Sequence, residues 1–190
     1  SIDEIAEEAH RIERSVQEGL GSPTDTALAA FGGYQIVVGS ARSIELPQMR
    51  LVVGFSGRPH DTRAEVEKVQ RFRAGYPEVV DPIFRAMGEI SKRATACIRE
   101  GRLEELGVLL NASHGLLESI GVGTRELSEL VYASRGAGQA YGAKLTGAGG
   151  GGCIIALPRT GPESFLRVMT AIAQARGVPF SVVTGCQGLR

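Results

Sequence analysis

Apolar residues at the start of the chain fall at helical spacing: Ile2, Ile5, Ala6, Ala9, Ile12 and Val16, with Asp3, Glu4, Glu7, Glu8 and Arg11 between them. The pattern predicts an amphipathic helix over residues 1–18, expected to belong to a longer protein. Gly19-Leu20-Gly21-Ser22-Pro23 breaks it, and a second helix is expected from Thr24 or Asp25 through Phe31, ended by Gly32-Gly33. Tyr34–Val38 and Arg50–Phe55 read as strands. Ser56-Gly57-Arg58-Pro59-His60 is a loop. Asp61 or Thr62 caps a helix running to about Arg73, and the capping-box spacing from Thr62 to Glu65 favours Thr62.

Three more helices follow. Pro77–Glu100 carries one apolar stripe from Val80 through Ile83, Phe84, Met87, Ile90 and Ala94 to Cys97 and Ile98, which makes Met87 and Cys97 core residues. Leu103–Ser119 presents Leu106, Leu109, Leu110, Leu116 and Leu117. Gly121-Val122-Gly123-Thr124 separates it from a helix bearing Leu127, Leu130 and Val131. Near the end, 162–176 reads as a helix with Phe165, Val168, Met169 and Ile172 inward, and 179–184 as a closing strand. Strand, helices, strand, strand, helix, strand fits an α+β fold: a ferredoxin-like split βαβ sheet with inserted helices.

One stretch obeys neither period. Lys144-Leu145-Thr146-Gly147-Ala148-Gly149-Gly150-Gly151-Gly152-Cys153 places four glycines in a row before the apolar run Cys153–Leu157. Glycine inside a regular element costs backbone entropy, and what it gains is access to positive φ and close approach of bare backbone. The run therefore predicts a tight turn feeding a buried strand, with backbone N–H groups aimed at an anion or a neighbouring loop. A flexible linker would be flanked by polar residues, whereas this run lies between Lys-Leu-Thr and Cys-Ile-Ile.

Composition narrows the functional classes. Lys plus Arg and Asp plus Glu both number 21, and that balance argues against a dedicated nucleic-acid binder. No apolar run is long enough to cross a bilayer, so no membrane partner is expected. The three cysteines are far apart and odd in number, which fits a reducing cytoplasm rather than a disulfide framework. By spacing alone, Asp25 reads as a helix N-cap. His114 and Glu118 lie four apart on one helix, but no third ligand lies near, so no metal site is expected there.

The string at 144–153 resembles the third signature motif of the GHMP small-molecule kinases, in the form carried by mevalonate kinases. Ser22-Pro23-Thr24-Asp25-Thr26, then Phe31-Gly32-Gly33, is similar to the segment that holds that family's catalytic aspartate. Residues 111–123 resemble the Asn…His…Leu-Leu…Gly-Val segment that precedes its third motif. The resemblance covers nearly the whole chain. It implies a remnant of the N-terminal, ribosomal S5-like kinase domain over 1–45 and the C-terminal ferredoxin-like domain over 46–190.

It also implies roles. Asp25 becomes the catalytic carboxylate; Gly147, Ala148, Gly149 and Gly150 hold the nucleotide; Ser56, Thr62 and Thr146 contact substrate, although simple capping also accounts for Thr62. A Mg²⁺-holding carboxylate on the preceding helix falls on Glu13 once a one-residue insertion is placed around Glu18; the alternative for Glu13 is a solvated helix residue. The implied reaction moves the γ-phosphoryl of ATP, with Mg²⁺, to the 5-hydroxyl of (R)-mevalonate, giving 5-phosphomevalonate for isoprenoid synthesis in the cytoplasm. Two alternatives stay open: a sister kinase acting on phosphomevalonate or another small alcohol, and a non-catalytic lobe that binds a metabolite or partner. Asp25 beside an unbroken glycine run weighs against the last.

The family's N-terminal motif, its Pro-…-Gly-Leu-Gly-Ser-Ser phosphate loop and its catalytic lysine are not found in these residues, nor is a Gly-x-x-x-x-Gly-Lys-Ser/Thr loop. The chain is thus expected to be a partial enzyme, inactive alone, with the apolar faces of the first helix and of 27–31 short of a packing partner. The expected partners are mevalonate and an N-terminal kinase segment outside these residues, with a homodimer as an open alternative.

Overall fold

The structure, a computed structural model, describes residues 1–16, 23–38, 40–59 and 61–188. Two compact units emerge: one formed by Ser1–Met49 with Val183–Arg190, the other by Arg50–Val182.

The smaller unit holds helices α1 (Ile2–Val16) and α2 (Pro23–Phe31) and a hairpin of β1 (Tyr34–Val38) and β2 (Ser40–Ile44). Helix α2 opens at Pro23, before the expected Thr24 or Asp25, because the fixed φ of proline suits the first helical position and its missing N–H is not needed there. The strands pair antiparallel in the register Tyr34↔Ile44 and Ile36↔Arg42. Ser-Ala-Arg-Ser has no strand signature of its own, so β2 exists through its pairing with β1. The chain end returns to this unit: Gly33 N–H donates to the Cys186 carbonyl at 2.6 Å, and Gly32 bridges Gln187. Gly32 has φ +65°, and a Cβ there would lie 2.0 Å from Gly188 N. Ala27 and Ala30 are buried, so that face of α2 does find a partner. Helix α1 buries no residue, and its stripe of Ile2, Ile5, Ile12 and Val16 is exposed.

The larger unit is built on a four-stranded sheet in the order β4-β5-β3-β6, with β3 (Arg50–Phe55), β4 (Gly142–Leu145), β5 (Cys153–Leu157) and β6 (Val178–Val183). This order, with α7 (Pro162–Gln174) between β5 and β6, is the split βαβ arrangement read from the sequence. The first crossover is expanded into four helices: α3 (Thr62–Gly75), α4 (Pro77–Glu100), α5 (Leu103–Ser119) and α6 (Arg125–Arg135). Strand β5 pairs antiparallel with both neighbours, Gly54 and Leu145 each opposite Ile154.

Two apolar clusters hold the unit together. Leu127, Leu130 and Val131 of α6 and Val168 and Ile172 of α7 pack on Val52, Leu145 and Ile154 of the sheet. Val80, Ile120 and Val122 form the second, with Phe72, Ile83, Phe84 and Met87 against them. Cys97 is buried and Met87 partly buried, as the helical stripe requires. Among the described residues no helix is long and apolar enough to cross a membrane.

Candidate active site

The glycine run forms the loop between β4 and β5, and the backbone takes the geometry that only glycine holds cheaply. Gly147, Gly149, Gly150 and Gly152 have φ of +75°, +77°, +74° and +79°. The loop is anchored on two sides. Gly152 N–H donates to the Arg58 carbonyl at 3.0 Å and its own carbonyl accepts from Ser56 N–H at 2.9 Å. Gly150 N–H donates to the Val122 carbonyl at 3.0 Å, and a Cβ on Gly149 would lie 1.8 Å from that same oxygen.

These contacts divide the loop's donors between the two targets expected of them, a neighbouring loop and an anion. Two of the run's N–H groups, at Gly150 and Gly152, face neighbouring loops rather than solvent. Among the described residues, no backbone carbonyl accepts from Gly147, Ala148, Gly149 or Gly151. The donors left for an anion thus lie mainly toward the Thr146 end, where Thr146 and Gly147 are exposed.

The surrounding charges come from three elements. The Glu65 carboxylate packs where a Gly150 Cβ would be, 2.7 Å away, and its Oε2 lies 3.6 Å from Lys68 Nζ. Lys68 in turn donates to the Gly121 carbonyl. Arg58 pairs with Glu126 at 2.6 Å, tying the β3–α3 loop to the start of α6. Lys144 is half-buried and has no carboxylate partner among the described residues; burial pushes its ammonium below the ordinary lysine value.

Ser56 and Thr146 meet this loop through backbone: Ser56 N–H reaches Gly152, and Thr146 N–H donates to the Cys153 carbonyl at 3.0 Å. Thr62 lies in the first turn of α3 but does not cap it. Asp61 does, with extended backbone at φ −99° and ψ 102° and its carboxylate accepting from Arg63 N–H at 2.9 Å and Ala64 N–H at 3.2 Å. The Asp61 carboxylate, one residue earlier, already satisfies the free N–H groups of Arg63 and Ala64, so the box expected at Thr62 has nothing left to cap. Asp61→Ala should therefore cost about 1 kcal/mol of stability, and Thr62→Ala under about 0.5 kcal/mol, in urea unfolding. The reverse order would return the cap to Thr62.

Asp25 and Glu13 belong to the smaller unit. Asp25 is exposed in the first turn of α2, inside the helix rather than at its cap, because α2 begins at Pro23. Ser22, beside it in the motif, and the insertion expected around Glu18 lie outside the described residues, as does His60. Glu13 is half-buried on α1, its Oε2 3.9 Å from His10 Nδ1. It is thus neither fully solvated nor part of a ready-made metal cluster: among the described residues no three His, Cys, Asp or Glu side chains converge.

His114 and Glu118 do approach each other, Nε2 to Oε1 at 3.4 Å, and among the described residues no third ligand joins them. Burial of the ring lowers the His114 pKa; Glu118 opposes this and Arg135 and Lys144 add to it. Sequence reasoning gave Val122, Glu65 and Arg58, which shape the glycine loop, no role there, Glu65 being read only as the capping-box partner of Thr62. Their contacts join residues far apart in the chain, and the only available hint was that 111–123 resembled a kinase segment.

Comparison with known proteins places these features. Residues 94–172 match the family model described as "GHMP kinases C terminal". The mevalonate kinase of Thermococcus sibiricus is 41% identical over 194 residues, which cover 99% of this chain and 57% of that protein. That of Pyrococcus furiosus is 42% identical over 197 residues, again 57% of its length. The chain spans about 57% of the length of these curated relatives. The crystal structure of L. major mevalonate kinase in complex with R-mevalonate superimposes with a TM-score of 0.83 at 22% identity, over 100% of this chain and 60% of that one. At that identity the likeness speaks for the fold.

Proposed function

We propose that this chain carries the C-terminal domain of a GHMP kinase and that its protein phosphorylates (R)-mevalonate at the 5-hydroxyl, using ATP. The observation that carries the reading is the Thr146–Gly152 loop: positive-φ backbone with no room for a side chain at Gly149, and N–H donors left at its Thr146 end. Such a loop suits close approach of a phosphate chain. The 41–42% identity with named mevalonate kinases supports mevalonate as the alcohol.

In this reading the hydroxyl oxygen attacks the γ-phosphorus, the bond to the bridging oxygen breaks and ADP leaves. Asp25 orients the hydroxyl and accepts its proton; the exposed carboxylate is open to such a partner. Gly147, Ala148, Gly149 and Gly150 present backbone to the nucleotide, and Thr146, Ser56 and Thr62 supply polar groups for substrate. Mg²⁺ commonly keeps only one or two protein carboxylates beside phosphate oxygens, so Glu13 alone fits that duty; when bound, the ion neutralises phosphate charge. Residues 1–45 contribute as the end of the N-terminal kinase domain, 46–190 as the C-terminal domain, and the protein acts in the cytoplasm.

A coupled ADP-release assay on the full-length protein tests this, with (R)-mevalonate, 5-phosphomevalonate and other small alcohols in turn. Turnover should require mevalonate and yield a phosphomonoester visible by phosphorus NMR. Preference for phosphomevalonate would point to the sister kinase. Binding without ADP release would point to a non-catalytic lobe.

A further inference from the structure

Strand β4 lies at the edge of its sheet, and its even-numbered residues face β5, as the Thr146–Cys153 bond marks. The backbone groups of Ala143 and Leu145 therefore point outward, where an open edge leaves donors and acceptors unpaired. Here side chains take all four. Ala143 N–H donates to Asn111 Oδ1 at 3.1 Å, and its carbonyl accepts from Arg135 Nη2 at 2.5 Å. Leu145 N–H donates to His114 Nδ1 at 3.4 Å, and its carbonyl accepts from Lys144 Nζ at 2.7 Å. Asn111 and His114 are three apart on α5, so one helix face reads two outward positions of the strand. Leu145 is followed directly by Thr146 and the glycine loop.

We propose that Asn111 and His114 are positioning residues: they latch the β4 edge to α5 and so fix where the glycine loop begins, which sets its fit to the nucleotide phosphates. This rests on the kinase reading for its consequence, though not for the latch. The latch works only with a neutral imidazole. Leu145 N–H needs the Nδ1 lone pair, so the proton of neutral His114 sits on Nε2, facing Glu118, which also accepts from Ser128 Oγ at 2.5 Å. Protonating Nδ1 would set one N–H against another. The charged groups around the ring are Glu118 on its own helix, Arg135 on α6 and Lys144 on β4; the two cations disfavour a positive charge on the ring and Glu118 favours it. Because the folded state holds this histidine below its ordinary value, folded protein binds fewer protons than unfolded. The latch is complete above the ordinary histidine pKa and is lost as pH falls through the depressed one.

The test compares His114→Phe, which removes the acceptor, with His114→Asn, whose amide oxygen can occupy the Nδ1 position, both in the full-length protein. In His114→Phe, amide exchange at Leu145 should speed up about tenfold while Val52 and Ile154 stay slow, and KM for ATP should rise about tenfold with kcat nearly unchanged. His114→Asn should restore both and abolish the acid-side loss of Leu145 protection seen in the wild type. Unchanged Leu145 exchange in His114→Phe, a rise shared equally by Val52 and Ile154, or an unmoved KM for ATP would overturn the proposal. If His114→Phe does not fold, His114→Asn decides: an acid limb that survives the substitution sinks the latch. A wild type with no ADP release refutes the kinase reading instead, and the exchange data still judge the latch.

Discussion

Asp25→Asn in the full-length protein should lower kcat by about two to four decades, the range for losing a positioned proton acceptor. The KM values for ATP and mevalonate should change little, since the amide keeps the shape and one acceptor oxygen. A structural role predicts something different. An acidic group in the first turn of α2 stabilises the helix through its dipole by only about 0.3–1 kcal/mol, and the side chain is exposed. A melting curve near that of the wild type beside a collapsed kcat would therefore separate chemistry from folding. Retention of most of the turnover would return Asp25 to the role of a helix-terminus acid.

Gly149→Val should cost at least about 3 kcal/mol of stability, combining left-handed strain with a backbone clash. Its φ is +77°, and the added Cβ would press on the Val122 carbonyl, which cannot rotate away as a side chain can. Gly150 is a milder case, because the atoms a Cβ meets there belong to the Glu65 side chain. Gly147→Ala is the control: φ is +75° but nothing lies within 4 Å, so only the strain of about 1–2 kcal/mol remains. Denaturant unfolding of Gly149→Val and Gly147→Ala reads the order directly. Gly149→Val as stable as Gly147→Ala would show that the Val122 contact does not hold the loop. A chain that folds with Gly149→Val but has lost ATP affinity would assign the loop to binding more than to stability.

The larger unit was legible because its elements are long and periodic. The stripes from Val80 to Ile98 and through Leu127, Leu130 and Val131 needed one face each, and burial of that face stabilises the helix wherever its partner lies. The glycine loop was legible because four glycines leave few conformations other than the positive-φ turn they adopt. Strand β2 was not, since Ser-Ala-Arg-Ser becomes a strand only opposite β1.

The sequence by itself determined the element order, the apolar faces and the loop that must be glycine, because each follows from a local period or from the steric freedom of one residue. Three outcomes were decided only in the folded structure. Asp61 rather than Thr62 caps α3, since a cap is settled by which side-chain oxygen reaches the free N–H groups. The Val122 carbonyl takes Gly150 N–H, since two loops far apart in sequence meet only after folding. Asn111, His114, Arg135 and Lys144 serve the β4 edge, because an unpaired strand edge exists only once the sheet order is set, and only then does a buried N–H or carbonyl select the side chain that must meet it.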